Sequence, residues 1–354
     1  MKFGIIKERK DPPDRRVVFS PLELLEVIKL FPNAEIKVET SDVRVFPDTE
    51  YAEKGFEVSD DVSDCDVLIG VKEVPIDALI PNKKYFFFSH TIKKQTYNRK
   101  LLKACIDKNI ELYDHETIVN GNNTRLIGFG RYAGIVGAYN GFRAFGLKYE
   151  IFNLPKAEKL PNQEALIAQL KKPFLPPIKI VLSGKGKVAM GAKEMLDEMK
   201  IKEVSVEDYL STTYTYPVYT MIDVKDYNIH KDGSAFDKKD FYTNPQNYNS
   251  NFERFTEVSD IFIAGHFYGN GAPVILSKEM LASPKCKIKV VADISCDIDG
   301  PIACTLKAST IADPNYGYLP SEHKEVDMFH PSAIVVMAVD NLPCELPKDA
   351  SEGF

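Results

Sequence analysis

In the first third of the chain, polar groups follow directly on three apolar runs. Lys72 and Glu73 follow "VLIGV" (67–71), His90 and Lys93 follow "YFFFS" (85–89), and Glu116 follows "IELYDH" (110–115). Arg15 and Arg16 precede "VVFSP". In an open parallel sheet, ligands bind beyond the carboxyl ends of the strands, so three successive ends carrying Lys, His and Glu can face one crevice. A histidine gains or loses a proton near neutral pH, so the chemistry these residue types offer is proton transfer. Each residue also has a plain structural reading. Lys72 and Lys93 can be solvated lysines, His90 a cap or a hydrogen-bonded core histidine, and Glu116 the cap of a turn. Composition and spacing do not name a reaction.

A second pattern is "SGKGKVAMGA" (183–192), between an apolar run and an amphipathic stretch. Between a strand and a helix, Gly184 and Gly186 allow a tight turn and close approach to a pyrophosphate. The phosphates would lie at the helix N-terminus, on free N–H groups. Ser183, Lys185, Lys187 and Val188 complete the candidate loop. Glu207, followed by Asp208, falls about 20 residues past Gly186, where a carboxylate holds the adenosine ribose in NAD-binding folds. That leans towards NAD, whereas Lys185 and Lys187 suit the extra phosphate of NADP. A strand, turn and helix without a ligand is the alternative.

These groups need elements to hold them. "FGII" (3–6), "IKVE" (36–39), "VLIGV", "YFFFS" and "IELY" (110–113) read as strands. "SPLELLEVIKLF" (20–31) starts with a serine N-cap and a proline, then shows helical apolar spacing. The segment 94–108 reads as a second amphipathic helix. Alternation of strand and helix implies a parallel α/β sheet. Ala133, Gly137 and Gly141 line one face of a small-residue helix suited to joining two domains, and 151–177 is proline-rich. Strands are expected again at 178–182, at "EVSVED" (203–208), and at 261–265, 288–295 and 333–340. The polar stretch 226–252 reads as a long ordered loop.

With 354 residues, 44% of them hydrophobic, the chain fits two domains of ordinary globular composition. A net charge of −6 argues against a nucleic-acid surface. "MKFGIIKERK" lacks a signal-peptide core, and "AIVVMAV" (333–339) is too short to cross a bilayer. The six cysteines form no CxxC pair and read as reduced thiols of a cytoplasmic protein.

Together the motifs resemble the alanine dehydrogenase, transhydrogenase and saccharopine dehydrogenase superfamily, above all its lysine–ketoglutarate reductase branch. "RRVVFSP", "LIGVKEVP" and "FFSHTIKKQ" carry the resemblance in the first domain, with "GFGRYAGIVGA" at its end. "GKGKVAMGAKEMLDEM", "DFYTNPQNYNSNF", "ADISCDIDGPIACT" and "VDNLPCELPKDAS" continue it over nearly the whole chain. The resemblance implies two Rossmann-like doubly wound domains with a cleft between them. The substrate domain would be 1–130 completed by 341–354, the joining helix and linker 131–177, and the dinucleotide domain 178–340. It also implies interconversion of saccharopine with L-lysine and 2-oxoglutarate through an imine, using NAD or NADP.

By that resemblance Arg16 would hold a substrate carboxylate, and Lys72 and His90 would be the acid–base pair. Lys93, Glu116 and Arg125 would line the substrate site, Glu73 would tune Lys72 through its charge, and Asp297 and Asp340 would lie by the nicotinamide. Arginine suits carboxylates because it offers two parallel hydrogen bonds. Lys72 needs burial or nearby cations to lower its pKa, against Glu73 and Glu116, which raise it. The chain departs from the reductase branch at Glu73, which resembles the yeast-type enzymes, and at His266, where an apolar residue is expected. A further helix after "DASEGF" is part of the family pattern. The partners implied are an amino acid and a 2-oxo acid, with no nucleic acid or membrane; a homo-oligomer is left open. The competing readings are an alanine dehydrogenase-type enzyme and a non-catalytic nucleotide-binding regulator on the same scaffold.

Overall fold

The computed structural model describes residues 1–269 and 271–354. Contacts divide the chain into one unit of Met1–Phe129 with Pro347–Phe354, and a second of Gly130–Leu346. The joining helix and linker expected at 131–177 thus lie within the second unit.

The first unit carries strands β1 (Lys2–Ile5), β2 (Glu35–Glu39), β3 (Glu57–Ser59), β4 (Val67–Lys72), β5 (Lys84–Phe88) and β6 (Glu111–Asp114). Their order is β3-β2-β1-β4-β5-β6, with every pairing parallel. The order reverses between β1 and β4, which is the switch point where such sheets bind ligands. Helix α1 (Pro21–Leu30) starts as its sequence implies. Ser20 and Glu23 form a reciprocal capping box, and Pro21 takes the first turn. In β5, Tyr85 and Phe87 are fully buried on one face; Phe88 is buried on the other, where Phe86 stacks on Tyr113. The segment 347–354 closes this unit. Ser351 Oγ accepts the Val17 N–H at 3.0 Å, and Phe354 packs against Phe88, His115 and Phe129.

The helix expected over 94–108 is shorter. A 3₁₀ turn covers Thr96–Asn98, and the α-helix, α2, runs Arg99–Asp107. Lys94 takes a left-handed conformation (φ 54°), which interrupts any helix approaching from the strand.

The second unit opens with helix α3 (Gly130–Lys148) and holds an eight-stranded sheet. Its strands are β7 (Lys179–Ser183), β8 (Lys202–Glu203), β9 (Val218–Ile222), β12 (Ile261–Ala264), β13 (Val290–Asp293), β14 (Asn315–Leu319), β15 (Lys324–Val326) and β16 (Ile334–Met337). The order is β15-β14-β16-β13-β12-β7-β9-β8, parallel from β16 to β8. The stretch expected to be a loop over 226–252 contains a hairpin, β10 (Asn228–His230) with β11 (Tyr248–Ser250). Between them a helical turn, Lys238–Thr243, is fixed by a ring cluster of Phe236, Phe241 and Tyr248.

Helix α4 (Lys187–Glu198) follows the glycine turn and crosses α3 backbone to backbone. A Cβ on Gly134 would stand 1.9 Å from the Val188 carbonyl oxygen, and one on Gly191 would stand 2.0 Å from that of Arg131. Both positions therefore demand glycine. Among the described residues no helix is long and apolar enough to cross a membrane. All six cysteines are free thiols.

Candidate active site

Four residues picked out by the sequence meet beyond the ends of β5 and β6. Glu116 is buried, and one carboxylate oxygen takes the His90 Nδ1–H at 3.0 Å. The other takes Arg125 at 2.8 Å and lies 3.9 Å from the Lys93 ammonium. Burial pushes the Glu116 carboxyl up, but His90, Lys93 and Arg125 outweigh it and hold the group below the ordinary carboxylate range. Glu116 thus stays an acceptor, which fixes the proton on His90 Nδ1 and leaves Nε2 with its lone pair. His90 itself lies below its ordinary pKa, from burial and then from the charge of Lys72, although Glu116 opposes both.

The backbone around His90 is tightly held. His90 is left-handed (φ 55°), an uncommon conformation for a residue with a side chain. Ser89 donates to Asp114, whose second oxygen caps the Glu116 N–H at 2.8 Å, and Asn98 donates to the His90 carbonyl at 3.1 Å. His90 is therefore placed by a network, while Lys93 and Lys94 after it are exposed.

Lys72 ends β4, paired in register with Phe88. Its pKa is lowered, first by burial and then by Arg16 and Lys10, while Glu73 and Asp14 act the other way. The competition left open by the sequence is won by desolvation and cations. Glu73 stands 3.8 Å from Lys10, and its Oε2 has no hydrogen-bond partner. Arg16, expected to hold a substrate carboxylate, is buried, with Nε and Nη2 both on Asp14 and its guanidinium 4.2 Å from the Phe129 ring centre. Its charge also lowers the Lys72 pKa. Arg125 and Lys93, each about half exposed, are the more accessible cations.

These shifts set an expected pH profile. If proton transfer needs neutral His90 and charged Lys72, the acid limb of kcat/KM falls below pH 6.5 and the alkaline limb below pH 10.5, since both groups are shifted down in the free protein. A kcat/KM profile with its acid limb above 6.5 would remove His90 as the group responsible.

In the second unit, a cavity of about 490 Å³ is lined by Gly184, Lys185, Gly186, Lys187 and Val188. Asp223, Tyr227, Lys238, Tyr242, His266 and Phe267 form much of the rest. Gly184 has φ +99°, and a Cβ there would meet the Gly265 carbonyl oxygen at 2.5 Å. Helix α4 has Gly186 as its N-cap with no side-chain cap bond, and a helix N-terminus of this kind favours an anion. The residues fit a dinucleotide phosphate. Ser183 does not line the cavity; it is buried, with Oγ 2.7 Å from His266 Nδ1. Burial lowers His266 to about 4, so it is neutral at physiological pH.

Glu207 and Asp208 do not lie at a strand end. They are exposed in the first turn of the short helix Val206–Ser211, because the expected strand "EVSVED" is only the two-residue edge strand β8. The strand beside β7 is β9, and the carboxylate after it is Asp223. Sequence reasoning missed Asp223; the signal was the apolar run "PVYTMI" ending in an aspartate. Asp223 accepts its neighbour Val224 N–H at 2.8 Å and pairs with Lys238 at 3.1 Å. Burial raises its pKa, but Val224, Lys238 and Lys185 outweigh it and keep the group below the ordinary range. Asp297 and Asp340 follow β13 and β16 and are exposed. Together with Asp293 they raise the Cys296 thiol, already raised by burial, to about 12.

Two Rossmann-like α/β units, one with a polar cluster at its strand ends and one with an anion-cradling glycine turn, define the class of fold. A family model described as "Alanine dehydrogenase/PNT, N-terminal domain" matches residues 4–136. An alpha-aminoadipic semialdehyde synthase of Arabidopsis thaliana is 30% identical over 99% of this chain and 37% of its own length. The mitochondrial one of Rattus norvegicus is 26% identical over 96% of the chain and 41% of its own length. The chain thus spans about two fifths of those relatives. A saccharopine dehydrogenase [NAD(+), L-lysine-forming] of Yarrowia lipolytica is 24% identical over 90% of the chain and 81% of its own length. A solved L-alanine dehydrogenase shares the fold, with a TM-score of 0.65 and 17% identity over 100% of this chain and 86% of that one. Residues 4–136 thus match the alanine dehydrogenase/PNT N-terminal family, and the chain as a whole is similar to alpha-aminoadipic semialdehyde synthases and saccharopine dehydrogenases.

Proposed function

We propose that the protein is a nicotinamide-dependent oxidoreductase that interconverts saccharopine with L-lysine and 2-oxoglutarate. The observation that carries this reading is the Glu116 cluster, which orients His90 within electrostatic reach of Lys72, a lysine whose pKa burial and Arg16 lower. The printed names of the relatives, alpha-aminoadipic semialdehyde synthase and saccharopine dehydrogenase, support the substrate class.

In the forward direction the lysine ε-amine adds to the keto carbon, water leaves to give an imine, and reduction gives the secondary amine. The nicotinamide, when bound, supplies the hydride. The chain's share is proton movement and charge. Lys72 Nζ and His90 Nε2 exchange protons with the amine nitrogen and the departing oxygen. Arg125 and Lys93 offer exposed cations to the substrate carboxylates.

The deciding experiment follows reduced-nicotinamide absorbance with 2-oxoglutarate plus lysine, then with pyruvate plus ammonia. Turnover only with the second pair would overturn the saccharopine reading in favour of an alanine dehydrogenase-type enzyme. No turnover with either, alongside tight nucleotide binding, would favour a regulator.

Asp223 takes the ribose role first assigned to Glu207, and Lys238 beside it offers a cation to an adenosine 2′-phosphate. Lys238→Ala is expected to weaken NADPH binding about tenfold or more, the value of a lost charge-assisted bond, with less effect on NADH. The protein has no tryptophan, so nicotinamide fluorescence reads both affinities directly. Equal losses for the two nucleotides would remove the 2′-phosphate role.

A further inference from the structure

Lys72 does not sit on a regular strand. Between Ile69, paired with Phe86, and Lys72, paired with Phe88, β4 takes three steps while β5 takes two. The extra residue makes a bulge at Gly70–Val71. Bulges re-aim the side chain that follows and recur beside active sites. This one is held from two sides. Glu8, just beyond β1, accepts the Val71 N–H on one carboxylate oxygen at 2.7 Å and the Lys72 N–H on the other at 2.9 Å. On the other side His115 Nε2 bonds the Gly70 carbonyl at 3.0 Å. Burial keeps His115 below its ordinary pKa, so it is a neutral donor there.

We propose that Glu8 is a positioning residue for Lys72, acting through the backbone of the β4 bulge, and that its ionised carboxylate is the form that holds Lys72 in place. The inference rests on the proposed role of Lys72 in proton transfer. Both Glu8 oxygens accept an N–H, and a neutral carboxyl accepts far more weakly than a carboxylate, so protonation weakens both bonds. The extra residue would then lose its clamp, and the lysine its aim.

The groups facing Glu8 set when this happens. Burial raises it, and Asp14 adds to that. The Val71 and Lys72 N–H groups and the charge of Arg16 lower it, leaving it at about 7. Lys72 leads from β4, and His115 holds the far side of the bulge. The clamp is therefore only partly formed at neutral pH and complete above it.

The test reads Lys72 itself. Competitive acetylation of the full-length chain with acetic anhydride, from pH 5.5 to 9.5, is quantified on the Lys72 peptide by mass spectrometry. Wild type is expected to show the ionisation of Lys72 plus a second inflection near pH 7. Glu8→Gln removes that inflection and lowers kcat on the order of 10- to 100-fold, the cost of a small misplacement, with KM little changed. His115→Gln keeps the inflection. A wild-type profile with Lys72's ionisation alone overturns the proposal even if Glu8→Gln does not fold. So does an inflection that survives Glu8→Gln or vanishes in His115→Gln. Labelling needs no turnover, so failure of the saccharopine assay would sink the proposed reaction while leaving this result readable.

Discussion

Lys72→Met is expected to lower kcat about 10²- to 10⁴-fold, the range for removing a positioned acid–base group. Methionine keeps the length and the apolar stem, so packing at the end of β4 survives. The buried cation is lost, which relieves desolvation, and the melting temperature should hold or rise. Under the proposed reading the nucleotide binds residues of the second unit, and its affinity should stay within about twofold of wild type. A subtler result separates chemistry from damage. Lys72 is the second cause of the lowered His90 pKa, whereas Glu116 raises it. Removing the Lys72 charge should therefore move the His90 ionisation upward, visible by histidine NMR. His90→Ala should lose rate to a similar extent, again with the nucleotide bound. Wild-type turnover in either variant would take that residue out of the mechanism.

The second large effect falls on stability. Gly134→Ala places a Cβ 1.9 Å from the Val188 carbonyl oxygen and 2.7 Å from the Ala192 nitrogen. Both are backbone atoms inside α4, so no rotamer change can relieve the overlap. The helices must part, at a cost of about 3 kcal/mol or more. For a unit of this size that lowers the melting temperature by roughly 6–12 °C. Gly191→Ala meets the same crossing from the other helix and should cost as much. The double variant should cost less than the sum, because helices already parted have room for the second methyl. A melt of Gly134→Ala indistinguishable from wild type would contradict the packing described.

Much of the first unit could be read from the chain. Strands buried on one or both faces leave runs such as "VLIGV" and "YFFFS", and the residue after each run marks a strand end. That logic reached Lys72, His90 and Glu116 without any contact being visible. It failed at Glu207. The counting rule assumes the strand after the phosphate helix is the neighbour of β7. Here a two-residue edge strand and a short helix intervene, and the neighbour is β9. The pairing of buried Arg16 with Asp14 is a local feature that no spacing rule weighs. Glu8 was invisible for a deeper reason. It acts on two backbone N–H groups in a bulge more than 60 residues away, and bulges leave no side-chain periodicity.

The crossing at Gly134 and Gly191 also bears on how the nucleotide preference could change over generations. Val188 lines the cavity, and its carbonyl is pressed against α3, so the floor of the cavity is nearly immutable. Lys238 and Tyr242 stand on the rim, carried by a segment that closes through its own hairpin and ring cluster. Substitutions there disturb little else. Under the nucleotide reading, drift at the rim can exchange one cofactor for another while the phosphate cradle stays as it is.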